Sequence, residues 1–350
     1  MRGKYARKII FVAEQRGGLD VFLPVIKKIK SSKKLIPFLF SDNKLICEFA
    51  KKHNVVCKYL AKLSLNEIDG IIKKINPNLV FTDTSGTNLN SSISKQFIRS
   101  ARDLNKLTAS LIDYWNKYRE RLGKNLEYLA DNILVTDNEM EKSLIDIGVP
   151  ADLIKVTGNP RFDRFSKMKI KKVQKGLIVF YSQPRYNQKP DEIEIFKDLA
   201  DAVGKFHPNK QIIIKFHPTR EANSKDRSKY DNIIGSSIIK IKKADNNIGA
   251  EDLSGKAELV AGINSTALFD ASLMKKRVIS YQPGGDILND TLKSNSYDWS
   301  RVAYDKISLY KEIKNIFERG MPKGKKQRGE YTKNNSTNKV INFLLTKVIN

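Results

Sequence analysis

Three loops in the second half of the chain carry the residue types that hold phosphate. Lys215-Phe216-His217-Pro218-Thr219-Arg220 closes the strand-like run 211–216. A histidine fixed by a following proline at a strand end can donate a hydrogen bond to a phosphate oxygen, and Lys215 or Arg220 can add charge. Gly262-Ile263-Asn264-Ser265-Thr266 joins a strand to a helix. Free backbone N–H groups and small hydroxyls at such a helix start make an anion site. Asp270, one turn further in, can accept from ribose hydroxyls. Ser182-Gln183-Pro184-Arg185 follows the run 177–181, where Arg185 can reach a phosphate. His207-Pro208 repeats the dipeptide after a helix rather than a strand, so no phosphate role is read there.

The first half offers acid–base chemistry instead. Glu14-Gln15-Arg16-Gly17-Gly18 follows the first strand-like run. Its glycines allow a backbone to approach a substrate closely, and Glu14 is a candidate general base. Asp83 and Asp113 also stand just after strand-like runs. Asp113-Tyr114-Trp115-x-x-Tyr118-x-x-Arg121 adds aromatic faces able to stack on a sugar, with Arg119 or Arg121 for an anionic group. A base must lie within hydrogen-bond reach of its proton, so the choice among the three carboxylates stays open at this point.

Other chemistries lack support. No Gly-x-Gly-x-x-Gly follows the first strand. Gly249 and Gly255-Lys256 are separated by five residues rather than four and followed by Ala257, so a phosphate loop of the kinase or ATPase type is not expected. The chain has three histidines and two cysteines, Cys47 and Cys57, with no His-x-x-x-His or Cys-x-x-Cys pair. The cysteines read as two reduced thiols, and neither a protein-built metal site nor a cofactor is expected.

Positioning these loops takes strands that alternate with helices. Runs 9–13, 35–40, 55–57, 79–82, 107–112 and 133–136 read as strands. Between them lie an amphipathic segment 19–29, a helix capped by Asp42 and reaching about His53, a Ser64-x-x-Glu67 capping box opening a helix to Ile75, and a helix over 91–104. Asn138 is read as the cap of a helix over 139–147 that Gly148 and Pro150 stop. After a polar, lysine-rich linker at 168–175 the alternation restarts. Strands are read at 177–181, 211–216, 240–241, 259–263 and 277–281, with helices at 191–206 and 265–274. Such alternation predicts parallel sheets with helices on both faces, in two α/β halves joined near residue 165. A polar loop is read over 322–338 and a terminal helix over 340–349.

The 350 residues carry 64 Lys and Arg against 38 Asp and Glu, a net charge of +26, with 40% apolar residues. That is enough apolar side chain for a core, and no run approaches the length of a membrane span. The charge is spread along the chain and accompanies no nucleic-acid motif, so a nucleic-acid partner is not expected. Residues 311–350 carry a net charge of +7. Lys323, Lys325, Lys326 and Arg328 there suggest weak docking of a cytoplasmic protein on the anionic inner face of a membrane.

The stretch Asp131-Asn132-Ile133-Leu134-Val135-Thr136-Asp137, then Gly148, then Ile154-Lys155-Val156-Thr157-Gly158-Asn159-Pro160-Arg161-Phe162-Asp163 resembles the inter-domain hinge of GT-B-fold sugar-transfer enzymes. Residues 215–218 and 262–271 are similar to their nucleotide-binding loops. The resemblance covers roughly residues 8–320. It points to the superfamily of UDP-N-acetylglucosamine 2-epimerases, CDP-glycerol glycerophosphotransferases, polysialyltransferases and surface-polysaccharide glycosyltransferases. It implies an α/β GT-B fold, two Rossmann-like domains with parallel sheets facing across a cleft. Residues 1–165 would form the acceptor side, 166–330 the nucleotide-donor domain, and 331–350 a tail helix.

By the same resemblance His217, Ser265 and Thr266 contact phosphate and Asp270 takes the ribose-binding acidic position. The expectation is a metal-independent glycosyltransferase of surface or capsular polysaccharide synthesis. It would move a sugar from a nucleotide donor to a hydroxyl of a glycan or lipid-linked acceptor. His217, the helix start at Ser265 and nearby cations would stabilise the departing phosphate, and in an inverting reaction Glu14, Asp83 or Asp113 would deprotonate the acceptor. The alternatives are a nucleotide-sugar 2-epimerase and a non-enzymatic polyanion-binding protein. The epimerases carry Ser-Gly-Gly-x-x-Glu-Glu where this chain has Ser265-Thr266-Ala267-Leu268-Phe269-Asp270, a departure that suits a transferase better.

Overall fold

The computed structural model describes residues 6–349 apart from 33, 85–91, 116, 169–171, 186–189, 218–220, 222, 246, 286–299, 321–330 and 332–334. The chain divides into two compact units. Met1–Ser166 and Tyr331–Asn350 form the first, and Lys167–Glu330 the second.

The first unit holds a seven-stranded sheet with the order β3-β2-β1-β4-β5-β6-β7, every pair parallel. Its strands are β1 (Arg7–Val12), β2 (Leu35–Ser41), β3 (Cys57–Tyr59), β4 (Leu79–Asp83), β5 (Leu107–Leu111), β6 (Asn132–Val135) and β7 (Ile154–Val156). The helices between them are α1 (Arg16–Ser32), α2 (Lys44–Lys52), α3 (Leu65–Ile75), α4 (Ile93–Asp103), α5 (Tyr118–Leu122), α6 (Asn138–Asp146) and α7 (Asp163–Lys167). Successive side chains of a strand point to opposite faces, so a central strand needs apolar residues throughout. In β1, Ile9 and Phe11 pack on the α1 side, where the rings of Phe11, Phe22 and Phe81 meet at 5.0–5.7 Å. Ile10 and Val12 pack on the other face against Ile72 of α3 and Phe97 of α4.

The last helix, α14 (Ser336–Ile349), belongs to this unit. Its Val340, Ile341, Leu344 and Val348 enter the same core as α1. The Asp163 carboxylate accepts from the Ser336 and Thr337 N–H groups at 2.9 and 2.7 Å, satisfying amides that a helix start leaves without partners.

The second unit holds a six-stranded parallel sheet ordered β10-β9-β8-β11-β12-β13. Its strands are β8 (Leu177–Tyr181), β9 (Gln211–Lys215), β10 (Lys240–Lys243), β11 (Leu259–Gly262), β12 (Arg277–Tyr281) and β13 (Ser300–Ala303). Its helices are α8 (Glu192–Phe206), α9 (Ser224–Ser228), α10 (Asp231–Ser236), α11 (Ala250–Lys256), α12 (Thr266–Leu273) and α13 (Lys306–Glu318). Ile178 and Phe180 face α8 and α13, while Leu177, Val179 and Tyr181 face α11 and α12. Both sheets reverse direction beside their first strand, and ligands of open parallel sheets bind at that switch point, beyond the strand carboxyl ends.

Several local expectations are corrected. Cys47 of α2 and Cys57 of β3 are joined as a disulfide rather than reduced, because α2 turns straight back into β3 and sets their Cα atoms 5.0 Å apart. The third strand is Cys57–Tyr59, two residues later than read, and pairs with Leu39–Ser41. Asn43, not Asp42, caps α2 by accepting from Leu45 N–H. Asp137, not Asn138, caps α6 by accepting from Met140 N–H. The Ser64–Glu67 capping box is present. β13 and α13 have no counterpart among the elements read, since Ser-Arg-Val-Ala offers no run of apolar or β-branched residues. Among the described residues no helix is long and apolar enough to cross a membrane. Lys323, Lys325, Lys326 and Arg328 lie outside the described residues.

Candidate functional site

The switch point of the first unit gathers all three carboxylates proposed for acid–base work. Glu14 leaves the end of β1, Asp83 ends β4 and Asp113 follows β5. Gly17 and Gly18, at the start of α1, make room for them. A Cβ at Gly17 would stand 2.5 Å from Asp113 Oδ2, and one at Gly18 would overlap the Asp83 carboxylate. These glycines therefore admit the protein's own carboxylates to the α1 N-terminus, whose dipole favours negative charge. Arg16 turns aside to donate to Asp20 at 2.8 Å.

Asp83 is buried. Its Oδ2 accepts from Glu14 N–H at 3.0 Å and its Oδ1 from Ser94 Oγ–H at 2.7 Å. Burial, reinforced by the nearby Glu14 carboxylate, pushes the Asp83 carboxyl up to about 7. Burial raises Glu14 as well, against hydrogen bonds from Ser92 and Ser94 that favour its charged form. Ser92 caps α4, so that helix start is what brings both serines to Glu14. Around Asp83 lies a polar pocket lined by Thr82, Ser94, Lys95, Ser110 and Arg121. A carboxyl that titrates near 7 can both give and take a proton at neutral pH.

Asp113 is held differently. Its Oδ1 accepts from Arg121 Nη1 at 2.8 Å, and the same guanidinium bonds Thr84 Oγ1 at 3.2 Å. Arg121 thus serves a carboxylate of the chain, and Arg119 donates to the carbonyls of Lys124 and Ile147. Trp115 stacks parallel on Phe162 and donates its indole N–H to Asp137, which also accepts from Tyr331 O–H. That packing occupies one face of the ring read as a sugar platform. Residues 85–88 of the loop after Asp83 lie outside the described residues.

The switch point of the second unit collects the phosphate-type loops. Lys215 of β9 and Gly262 of β11 both pair in register with Tyr181 of β8. Two strand spacings put them about 10 Å apart. His217 follows the first and Asn264–Thr266 the second. Ser265 caps α12, accepting from Ala267 N–H at 3.3 Å, with Thr266 exposed at its first turn. Asn264 is oriented by Gln183, whose Oε1 accepts from its backbone N–H at 3.1 Å and whose Nε2 donates to its Oδ1. Asp270 lies half-buried one turn along α12.

Other predicted residues point elsewhere. Lys215 Nζ donates to the Asp245 carbonyl, and burial lowers its pKa. Arg185 Nη1 donates to the Pro190 carbonyl at 3.0 Å and its backbone N–H to Glu192. Arg220 and Thr219 lie outside the described residues. Among the described residues no group of three His, Cys, Asp or Glu side chains is arranged to hold a metal ion.

Two contributions escaped the sequence reading. Ser92 and Ser94 connect the carboxylates, and the Ser-Ser-Ile-Ser opening of a helix just after a strand-end loop is the signal that marks them. Glu221 is buried and accepts from His217 N–H at 2.8 Å and Ser182 Oγ–H at 2.7 Å, tying the β9 loop to the β8 loop. Burial raises its pKa. An acid four residues beyond His217 was the available signal.

No known family profile and no curated protein matches the chain. Solved structures do. A UDP-GlcNAc 2-epimerase from Neisseria meningitidis bound to UDP-GlcNAc is 13% identical, with 97% of this chain and 100% of that chain covered and a TM-score of 0.72. The S. aureus protein MnaA, solved with UDP, is 15% identical over 97% and 96%, also with a TM-score of 0.72. A glycosyltransferase from Rickettsia africae is 15% identical over 98% and 96%, with a TM-score of 0.60. These likenesses show the fold, two Rossmann-like α/β domains of the GT-B type.

Proposed function

We propose that the protein is an enzyme of nucleotide sugars, a 2-epimerase that inverts the sugar carbon next to the one bearing the diphosphate. The observation that carries this reading is the carboxyl cluster at the switch point of the first unit, where buried Asp83 accepts from Glu14 N–H at 3.0 Å and from Ser94 Oγ–H at 2.7 Å. Inverting a carbon needs a proton removed from one face and returned to the other, hence groups that both accept and donate near neutral pH. That carbon adjoins no carbonyl, so loss of its proton is coupled to departure of the nucleoside diphosphate. The leaving group needs hydrogen-bond donors, a role assigned here to His217 and the Ser265–Thr266 start of α12. Epimerases solved with UDP or UDP-GlcNAc are among the similar structures and share the fold along nearly the whole chain.

A glycosyltransferase is the second reading, favoured by one observation. Ser265–Asp270 lacks the Gly-Gly and paired Glu of the epimerase pattern. Incubation with UDP-GlcNAc alone, followed by product analysis, separates the two. The epimerase reading predicts a C2 epimer without any added acceptor, whereas the transferase reading predicts unchanged UDP-GlcNAc until an acceptor is supplied. UDP is expected to raise the melting temperature under either reading, because a ligand of the folded state stabilises it.

A further inference from the structure

Glu221 is 2% exposed, yet both oxygens of its carboxylate have donors. Oε2 accepts from His217 N–H at 2.8 Å and Oε1 from Ser182 Oγ–H at 2.7 Å. Ser182 gives its one proton to Glu221, so the bond between its Oγ and the buried Tyr230 is donated by the tyrosine O–H. The backbone is fastened at the same point. Glu221 N–H donates to the His217 carbonyl at 3.1 Å, Ser182 N–H to the Lys215 carbonyl at 3.0 Å, and Arg227 Nε to the Glu221 carbonyl at 2.8 Å. The ring of Tyr230 packs 5.4 Å from that of Phe216. His217 is thereby held at both its N–H and its carbonyl by one residue, which is itself tied to the β8 loop 39 residues earlier.

We infer that Glu221 is a positioning residue for His217: bound to Ser182 through one oxygen and to the His217 peptide through the other, it fixes the strand-end loop so that the imidazole meets the diphosphate of a nucleotide. This rests on the donor-site role proposed above for His217. Among side chains, an ionised carboxylate presents two acceptor oxygens and no donor, so the two contacts single out an acid at this position. An amide there would turn its own N–H towards one of the two donors. The His217 N–H is committed to the carboxylate, which leaves the imidazole as the group this residue can offer a phosphate oxygen. Glu221 itself takes no part in bond making; it acts through the residue it holds.

Proton NMR and calorimetry of the full chain with UDP test this without turnover. The chain has three histidines, so the His217 imidazole signal is identified by its loss in His217→Ala. UDP is expected to shift that signal in the wild type. In Glu221→Gln the shift at saturating UDP is expected to be largely lost and the Kd for UDP to rise on the order of tenfold. The double variant Glu221→Gln, His217→Ala is expected to bind UDP no more weakly than His217→Ala alone, because losses that act through one contact do not add. A role in stability alone would lower the melting temperature and leave the saturated shift intact. The full shift in Glu221→Gln, or losses that add in the double variant, overturns the inference and leaves the functional reading standing. Ser182→Ala, which keeps the His217 contact but frees the other oxygen, is expected to weaken UDP binding about threefold. It decides the matter should Glu221→Gln fail to fold, and wild-type affinity with the full shift then overturns the inference. A wild-type His217 signal that UDP does not move overturns the donor-site reading and this inference together.

Discussion

Asp83 shows how a single residue ties fold to chemistry. The folded chain holds its proton to about 7, whereas an unfolded aspartate releases it near 4. Between these values the folded state binds more protons than the unfolded one, so the contribution of Asp83 to stability falls as pH rises and levels off above about 7. The limiting slope is about 1.4 kcal/mol per pH unit for one group. Glu14 and Glu221, also raised by burial, act with the same sign. Urea unfolding from pH 4.5 to 8 is expected to show a shallower decline in Asp83→Asn than in the wild type. Equal slopes would mean that the carboxyl ionises normally in the fold. Asp83, Glu14 and Asp113 were legible as strand-end carboxylates, but the contact of Asp83 with Glu14 was not. It depends on β1 and β4 being sheet neighbours although 66 residues separate Val12 from Leu79.

At the scale of elements, local signals were readable and competing ones were not. Ser64-x-x-Glu67 forms its capping box because both partners lie within one turn. Asp137 and Asn138 are equally good caps by residue type. Asp137 takes the role because its carboxylate also receives Trp115 and Tyr331, contacts that only the folded unit supplies. Cys47 and Cys57 likewise meet only through the turn from α2 to β3. The start of α14 is capped by Asp163, a residue more than 170 positions away in the chain. Asp163→Ala is expected to cost about 1–2 kcal/mol in chemical unfolding, as loss of a helix cap does. Stability equal to the wild type would show that water satisfies those amides equally well.

At the scale of the whole molecule, the first unit is discontinuous, since its core is completed by residues 331–350. Val340, Ile341, Leu344 and Val348 are each worth about 1.5–3 kcal/mol when fully buried. Together that rivals the 5–15 kcal/mol stability of an ordinary domain. A chain ending at Glu330 is therefore expected to lose cooperative unfolding of the first unit while β8–β13 keep slow amide exchange, and a first unit that still melts cooperatively would refute the assignment. The central claim is that the carboxyl cluster of the first unit moves a proton at a sugar carbon of a nucleotide sugar. Its most direct test is NMR of UDP-GlcNAc incubated with the protein in D2O without acceptor. Deuterium at C2, accompanied by the C2 epimer and suppressed on the order of 10²-fold or more in Asp83→Asn, is the predicted result. UDP-GlcNAc that binds yet keeps its C2 proton would contradict it.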